Sequence, residues 1–207
     1  MRKLINTGLA LAAATSIMSA CTILPSQPDL DVYTLDSTVS IQTAPVPAPY
    51  ILRINDPYAN KYISGPRIVV RTQQGDLNVY AGAKWNDDAP NVFRDSLSQA
   101  IRRAGLFKAV TSGYGNANNV DMGIYLNSFQ VEYEDNTPVV VIDVDINLTG
   151  SKGQGEVVSK HFESRQASQG KELKDVLQAF AQANGKLQAD ILNWLAAAAH
   201  NPKVQPH

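Results

Sequence analysis

The sequence is poor in cysteine, in histidine and in charge of either sign. Among 207 residues, Cys21 is the one cysteine, so the chain forms no internal disulfide and offers no thiol cluster for zinc. Two of its 3 histidines, His200 and His207, lie at the C-terminal end, which leaves His161 for the folded part. The formal net charge is −1, so no strongly basic half exists to bind a nucleic-acid backbone.

Motifs for catalysis are also scarce. The sequence has no Gly-x-Ser-x-Gly motif, and His161 is expected to be a solvated strand residue rather than a general base. Asp143 and Asp145 lie two residues apart and point to the same side of a strand, where paired carboxylates could serve acid–base chemistry or bind a cation. The polar face of a regular amphipathic strand explains the same pair. We therefore expect no enzymatic activity, no metal and no cofactor.

The first twenty residues have the order of a bacterial secretion signal. Arg2 and Lys3 give a positive start, and the following run to Ala20 carries no charge and is too short for a comfortable transmembrane helix. No later apolar run approaches spanning length. Residues 1–20 are therefore predicted to be a signal peptide, which leaves the rest of the chain without a membrane-spanning segment.

The end of this signal resembles a lipobox. Met18, Ser19 and Ala20 would be recognised by the signal peptidase, and the Cys21 thiol would carry the acyl chains, including palmitate, that anchor the protein in a membrane. The alternative is an ordinary secreted protein that is cleaved near Ala20. In the lipoprotein sorting of double-membrane bacteria, Asp after the cysteine commonly retains the protein at the inner membrane. Thr22 in this place therefore indicates the outer membrane, with the domain on its periplasmic face.

Periodicity in the remaining sequence predicts one domain with a tether before it and a tail after it. Residues 21–49 contain several prolines and a short strand near 32–35, the domain covers 50–198, and 199–207 form a flexible tail. Apolar alternation switches parity near Asn127-Ser128, which predicts a β-bulge. The predicted elements are strands at 50–54, 67–71, 77–80, 120–133, 140–149 and 157–167, a short apolar segment at 106–110, and helices at 86–104 and 171–198. Their order predicts an α+β fold: an antiparallel-rich mixed sheet with two main helices packed on one face, as a layer sandwich.

Four aromatic residues in or beside loops are candidates for binding a partner. They are Tyr58, Tyr62, Tyr80 and Trp85. Aromatic side chains bury a large area at low entropic cost, which favours them at interfaces. Packing in the core is an equally good explanation for each of them singly.

Taken in order, these features resemble the ABC-type transport auxiliary lipoproteins, the group that includes the lipoprotein of the paraquat-inducible (Pqi) system. The resemblance covers nearly all of the chain after residue 20, and Asp87-Asp88 departs from relatives that are more apolar there. It rests on the lipobox and on these segments: Tyr33-Thr34-Leu35, Tyr50-Ile51-Leu52-Arg53-Ile54, Val69-Val70-Arg71, Asn78-Val79-Tyr80, Lys84-Trp85 and Ala104-Gly105-Leu106-Phe107.

The resemblance implies a function that no single motif provides. Such lipoproteins are partners of periplasmic MCE-domain proteins, which move phospholipid-like molecules between the two membranes together with an ABC transporter or a related protein. It implies a non-catalytic docking component, and a homo-oligomer because MCE-domain proteins form symmetric rings. Two other readings remain open: a periplasmic envelope hydrolase that uses Asp143 and Asp145, and a lipid carrier with its own acyl-chain cavity.

Overall fold

The computed structural model describes residues 30–35, 39, 46–112, 119–150 and 157–201. Within these ranges the chain forms one sheet of nine strands and two helices, which confirms the predicted α+β fold. The strands are β1 (Asp31–Tyr33), β2 (Ala48–Ile54), β3 (Tyr58–Ala59), β4 (Arg67–Arg71), β5 (Leu77–Trp85), β6 (Phe107–Thr111), β7 (Asn119–Glu134), β8 (Thr137–Gly150) and β9 (Val158–Ala167); the helices are α1 (Ala89–Ala104) and α2 (Leu173–Ala198).

The long strand β7 organises the sheet. Along one edge it pairs antiparallel with β8 over almost its whole length, and β8 pairs antiparallel with β9. The register between β7 and β8 shifts between Leu126 and Ser128, which confirms the predicted bulge. Because of this extra residue, even-numbered side chains such as Ile124 face the core before the bulge, and Phe129 and Val131 face it afterwards.

The other edge of β7 is shared by three shorter strands. From its N-terminal end onward, β7 pairs with β2, then β3, then β4, all parallel to it. Beyond them, β6 is parallel to β2, β5 is antiparallel to β4, and β1 is parallel to β5. A strand's own sequence shows which side it buries but not which strand it pairs with, so this branched arrangement could not be read from the sequence pattern.

Both helices pack on the same face of the sheet. Proline in the first turn of α1 fits its start, and Gly105 ends it in the left-handed conformation with φ 65°, as predicted. Asn184 and Gly185 lie within a continuous α2. The Asn184 amide donates to the Ser96 Oγ of α1 at 3.0 Å, so a polar contact joins the two helices.

Aromatic side chains fill the centre of the core between this sheet and the helices. Phe129 on β7 lies with its ring centre 5.5 Å from that of Trp85, 6.4 Å from Phe93 and 5.2 Å from Phe180. All four side chains are almost completely buried. At the other end of the domain, the Tyr50 hydroxyl donates to the carbonyl of Ala199, which joins β2 to the end of α2.

Part of the predicted tether is built into the domain. β1 pairs with the end of β5, and Leu35 is 8% exposed within the core. Val39 packs beside Gly185 on α2, where its Cγ2 lies 3.7 Å from the position of an added Cβ. Ala48, just before the predicted start of the domain, is completely buried. These residues of the predicted tether therefore belong to the described fold.

Candidate docking surface

The face of the sheet opposite the helices is open over a large part of its area. The strand registers place Val79, Val69, Gln130, Val141 and Arg165 in one row across β5, β4, β7, β8 and β9. Neighbouring residues such as Val70, Val131 and Val140 point into the helix-covered core. The row therefore lies on the helix-free face, where any covering must come from side chains or from a partner.

A network of charged side chains covers one half of this face. The Arg165 guanidinium lies 3.1 Å from carboxylate oxygens of both Glu132 and Glu163, and it also contacts Glu134. Val141 beneath this network is 2% exposed although no helix lies over it. Long charged side chains can cover apolar surface in this way because their stems are hydrocarbon.

The network also shifts the ionisation of its members. Burial opposes the charged form of Arg165, but hydrogen bonds to the surrounding glutamates outweigh it and raise the pKa of Arg165. Burial likewise tends to raise the pKa of Glu132, but hydrogen bonds from Gln130 and Arg165 outweigh it and hold that pKa below its ordinary value. Both groups are therefore ionised at neutral pH, and this half of the face is closed by ion pairs.

Elsewhere on this face, a group of apolar side chains is exposed. We name it the apolar sheet surface. Its members are Tyr58, 68% exposed, Tyr62, 70%, Leu77, 40%, Val79, 45%, and Tyr125, 48%. The rings of Tyr58 and Tyr125 lie 5.8 Å apart in a tilted arrangement, because β3 places these residues opposite each other. Exposed apolar side chains with charged side chains beside them are typical of a protein-binding site.

A groove runs along the β5 side of this surface. It has a volume of about 280 Å³ and is lined by Tyr62, Val69, Leu77, Asn78 and Val79. Three of these are consecutive residues of β5, so the groove follows the strand. Its shape suits an apolar side chain or a short extended segment better than a flat surface would.

The predicted aromatic candidates separate into two groups. Tyr58 and Tyr62 lie on the apolar sheet surface. Trp85 does not: it is 1% exposed and packs edge-on against Phe180 at 5.1 Å, so its selection as a partner-binding residue was wrong. The side chain of Trp85 lies on the face of β5 that the helices cover. The sequence around a tryptophan beside a loop does not show whether its side chain is buried in the core or exposed to a partner.

Tyr80 takes an intermediate position. Its ring is partly buried against the core, and burial, with a smaller contribution from neighbouring Tyr133, raises the pKa of its hydroxyl. It is thus less available to a partner than Tyr58 or Tyr62. Sequence reasoning missed Leu77, Val79 and Tyr125, although the alternation of Leu77 and Val79 within an uncharged strand was the signal that could have identified them.

The two aspartates of the alternative enzymatic reading lie beside this surface. The His161 Nδ1 is 3.0 Å from Asp145 and 3.5 Å from Asp143, and the Asn127 amide donates to both carboxylates. The imidazole is 54% exposed, so the cluster lies on an open sheet face rather than in a cleft. Within the described ranges, no group of three or more His, Cys, Asp and Glu side chains is arranged to hold a metal ion.

The residues predicted for lipidation lie outside the described ranges. These are Met18, Ser19, Ala20, Cys21 and Thr22. Of the helices that the structure does describe, none combines the length and the apolar character needed to cross a membrane.

Comparisons with known proteins place this fold among relatives. The family model for the ABC-type transport auxiliary lipoprotein component matches residues 33–192. A Xanthomonas campestris protein, whose crystal structure is described under the family model DUF330, superposes with a TM-score of 0.72 at 26% identity, covering 81% of this chain and 95% of that one. A crystal structure of an uncharacterized protein superposes with a TM-score of 0.63 at 17% identity, covering 81% and 99% of the two chains. No curated protein matches the chain.

Proposed function

The chain belongs to the ABC-type transport auxiliary lipoprotein family, and we propose that it is the non-catalytic docking component of a lipid transport system of the Pqi type. In this role the domain binds a periplasmic MCE-domain protein, and acyl chains on Cys21 hold it at the outer membrane. Phospholipid is the cargo of the whole system. The observation that carries the docking role is the apolar sheet surface beside its charged rim.

The apolar sheet surface supports docking because exposed side chains of this kind are costly without a partner. Covering about 100 Å² of apolar area contributes roughly 2.5 kcal/mol to association. Two of its tyrosines, Tyr58 and Tyr62, are more than two-thirds exposed in the described chain. Aromatic residues of this kind commonly account for a large share of the binding energy at protein interfaces. A homo-oligomer that presents several such surfaces fits a ring-shaped MCE partner.

The short segment before β1 supports a docking site close to the membrane. From Cys21 to Asp31 the backbone spans at most about 35 Å even when fully extended. Since β1 is paired with β5, the folded domain cannot move further from the lipid surface than this segment allows. A partner that reaches the outer membrane would thus meet a domain held within a defined distance.

Packing of the core weighs against the lipid-carrier reading. The rings of Trp85, Phe129 and Phe180 occupy the space between the sheet and the helices where an acyl chain would have to lie. Cavities described at the surface include the groove along β5, a polar one of about 190 Å³ beside Leu35 and α1, and one of about 450 Å³ beside Val39 on α2. None of these three lies between the sheet and the helices.

The envelope-hydrolase reading has a direct test in the aspartate pair. We expect a variant with both Asp143→Asn and Asp145→Asn to retain transport activity, because these side chains lie at the rim and bond chiefly to Asn127 and His161. The assay is survival of a deletion strain on membrane-damaging compounds after complementation. Loss of complementation with normal protein levels would instead favour catalysis.

The docking proposal is tested by binding to the MCE-domain protein of the same organism. The purified chain in detergent micelles should bind the periplasmic region of that protein in a biolayer assay. A Tyr58→Ser, Tyr62→Ser variant should bind at least about tenfold more weakly, since two aromatic contacts are lost. Val46→Ser is the matched control, because Val46 is 79% exposed and precedes β2, outside the sheet. No binding by the unaltered chain would overturn the proposal.

The anchoring proposal is tested at Cys21. We expect Cys21→Ser to abolish incorporation of labelled palmitate and to release a folded chain into the periplasm, because the thiol that receives the diacylglyceryl group is absent. Separation of the inner and outer membranes then shows which membrane holds the unaltered chain. Thr22→Asp should move the chain from the outer to the inner membrane fraction. Normal acylation of the Cys21→Ser variant would refute the assignment.

A further inference from the structure

Only one part of the outer edge of β5 is paired with another strand in the described chain. The register with β4 shifts between Val69 and Arg67, so that β5 has extra residues around Gly82, which has φ 69°. On its outer edge β5 is paired with β1 only from Ala83 to Trp85. In the described part of the chain, no strand pairs with the outer edge of residues 77–82.

The free hydrogen-bonding groups on this edge can be assigned from the hairpin that joins β4 and β5. The Thr72 amide donates to the Asp76 carbonyl at 2.8 Å, so these residues form a hydrogen-bonded pair at the end of the hairpin. Hydrogen-bonded and non-hydrogen-bonded pairs alternate along an antiparallel ladder. The next hydrogen-bonded pair is therefore Val70 with Asn78, and the amides and carbonyls of Leu77 and Val79 point outward.

The same two residues provide the apolar side chains of the groove. Leu77 and Val79 are 40% and 45% exposed and lie with Tyr62 along the groove of about 280 Å³. Leu77 and Val79, at alternate positions of β5, thus combine outward-facing backbone groups with exposed apolar side chains. This combination matches an added β-strand, which uses backbone hydrogen bonds for affinity and alternate side-chain pockets for specificity.

The usual protection of an exposed edge is missing here. Open edges in soluble proteins commonly carry lysine, proline or another charged residue that prevents pairing with foreign strands. From Leu77 to Gly82 the sequence reads LNVYAG, with no charged residue and no proline. The bulge at Gly82 limits the open edge to about six residues, or roughly 20 Å of strand. An edge of this length is sufficient for a short binding segment.

We propose that the open edge of β5 at Leu77–Gly82 binds an extended segment of the docking partner as an additional strand of the sheet. The inference rests on the proposed function, because the partner is the MCE-domain protein. The bound segment has apolar residues at alternate positions, which enter the groove beside Tyr62. The residues that precede β1 are poor occupants, since the parallel register of β1 would place Pro25 opposite Leu77 and Pro28 opposite Tyr80. Because alternate residues of a strand direct their backbone groups to opposite sides, one of these two prolines would direct its backbone nitrogen towards β5. Proline has no N–H to donate there.

Two variants separate backbone pairing from side-chain contact. Val79→Pro removes an outward amide without removing a hydrogen bond to β4, and Leu77→Lys places a charge in the groove. Each should weaken binding of the periplasmic region of the MCE-domain protein to the full chain in micelles by about tenfold or more. Val46→Pro and Val46→Lys are matched controls on an exposed residue outside the sheet, and they should bind like the unaltered chain.

A second measurement tests the edge without any partner. Site-resolved amide hydrogen exchange should be fast at Leu77 and Val79 and slow at Asn78 in the free chain, and the partner should protect the first two. Protection of Leu77 and Val79 in the free monomer or in a homo-oligomer means that the chain itself covers the edge, which overturns the inference. Undiminished binding by both edge variants also overturns it while leaving the docking function intact. Absence of binding by the unaltered chain refutes the docking function, and with it this partner for the edge.

Discussion

Ser96→Ala is expected to lower the free energy of unfolding far more than removal of one surface hydroxyl would, because Ser96 joins the two helices. Its Oγ accepts the amide of Asn184 at 3.0 Å and that of Gln188 at 2.9 Å. Gln188 also donates to the Asn184 carbonyl oxygen at 3.2 Å. Both amide side chains are completely buried, and Ser96 is 5% exposed, so water cannot readily replace the lost acceptor.

The magnitude follows from what each amide loses. Without the hydroxyl, the buried Asn184 amide lacks its acceptor, which costs about 1–3 kcal/mol. Gln188 retains Asn184 as a partner, so its loss is a single hydrogen bond of about 0.5–1.5 kcal/mol. The total is roughly 2–4 kcal/mol, a large fraction of the stability of an ordinary domain. In a Gln188→Leu background the second contribution disappears, so Ser96→Ala should cost about 0.5–1.5 kcal/mol less there.

The assay is urea unfolding of the purified chain, followed by circular dichroism and by tryptophan fluorescence. Ser98→Ala is the matched control, since Ser98 is 3% exposed on the same helix but takes no part in this cluster. The m-values should stay equal, so that a shift in midpoint reports stability alone. The reasoning fails if Ser96→Ala and Ser98→Ala cost the same within about 0.5 kcal/mol, or if the Gln188→Leu background leaves the cost unchanged.

Three further predictions concern the core and the titrating groups. Phe129→Ala should destabilise the domain by about 3–5 kcal/mol in the same assay, because it removes a ring that contacts three buried aromatic side chains. Folding lowers the pKa of Glu132 below its ordinary value of 4.5. The stability that the ionised Glu132 contributes to the folded chain is therefore present above pH 4.5 and is lost as the pH falls. Arg165→Gln should flatten this acid dependence of the unfolding free energy. Since burial raises the pKa of Tyr80, the unfolded chain loses that proton first, so stability should fall as pH rises above 10, and Tyr80→Phe should reduce this slope.

The helices and long strands could be predicted because each buries one side with its own period. The alternation of β8 and the change of parity at Asn127-Ser128 gave both the strand and its bulge correctly. The hydrogen bond of Asn184 could not be predicted, because the local sequence does not show which side chain of the neighbouring helix will accept from its amide. Trp85 was misassigned for a related reason: the sequence around it does not say what will lie above its strand.

The sequence alone was sufficient to predict the α+β class and the family to which residues 33–192 belong, and the signal and the acylation site at Cys21 remain predictions. These properties depend on residue order over short spans, which is visible in the chain itself. The tertiary structure decided which apolar residues remain exposed and which strand edge remains open. Tyr62 and Leu77 form one groove because β5 pairs with β4, and β4 pairs in turn with β7, about sixty residues further along the chain. Such pairing depends on competition among all strands for partners, and local periodicity carries no information about its outcome.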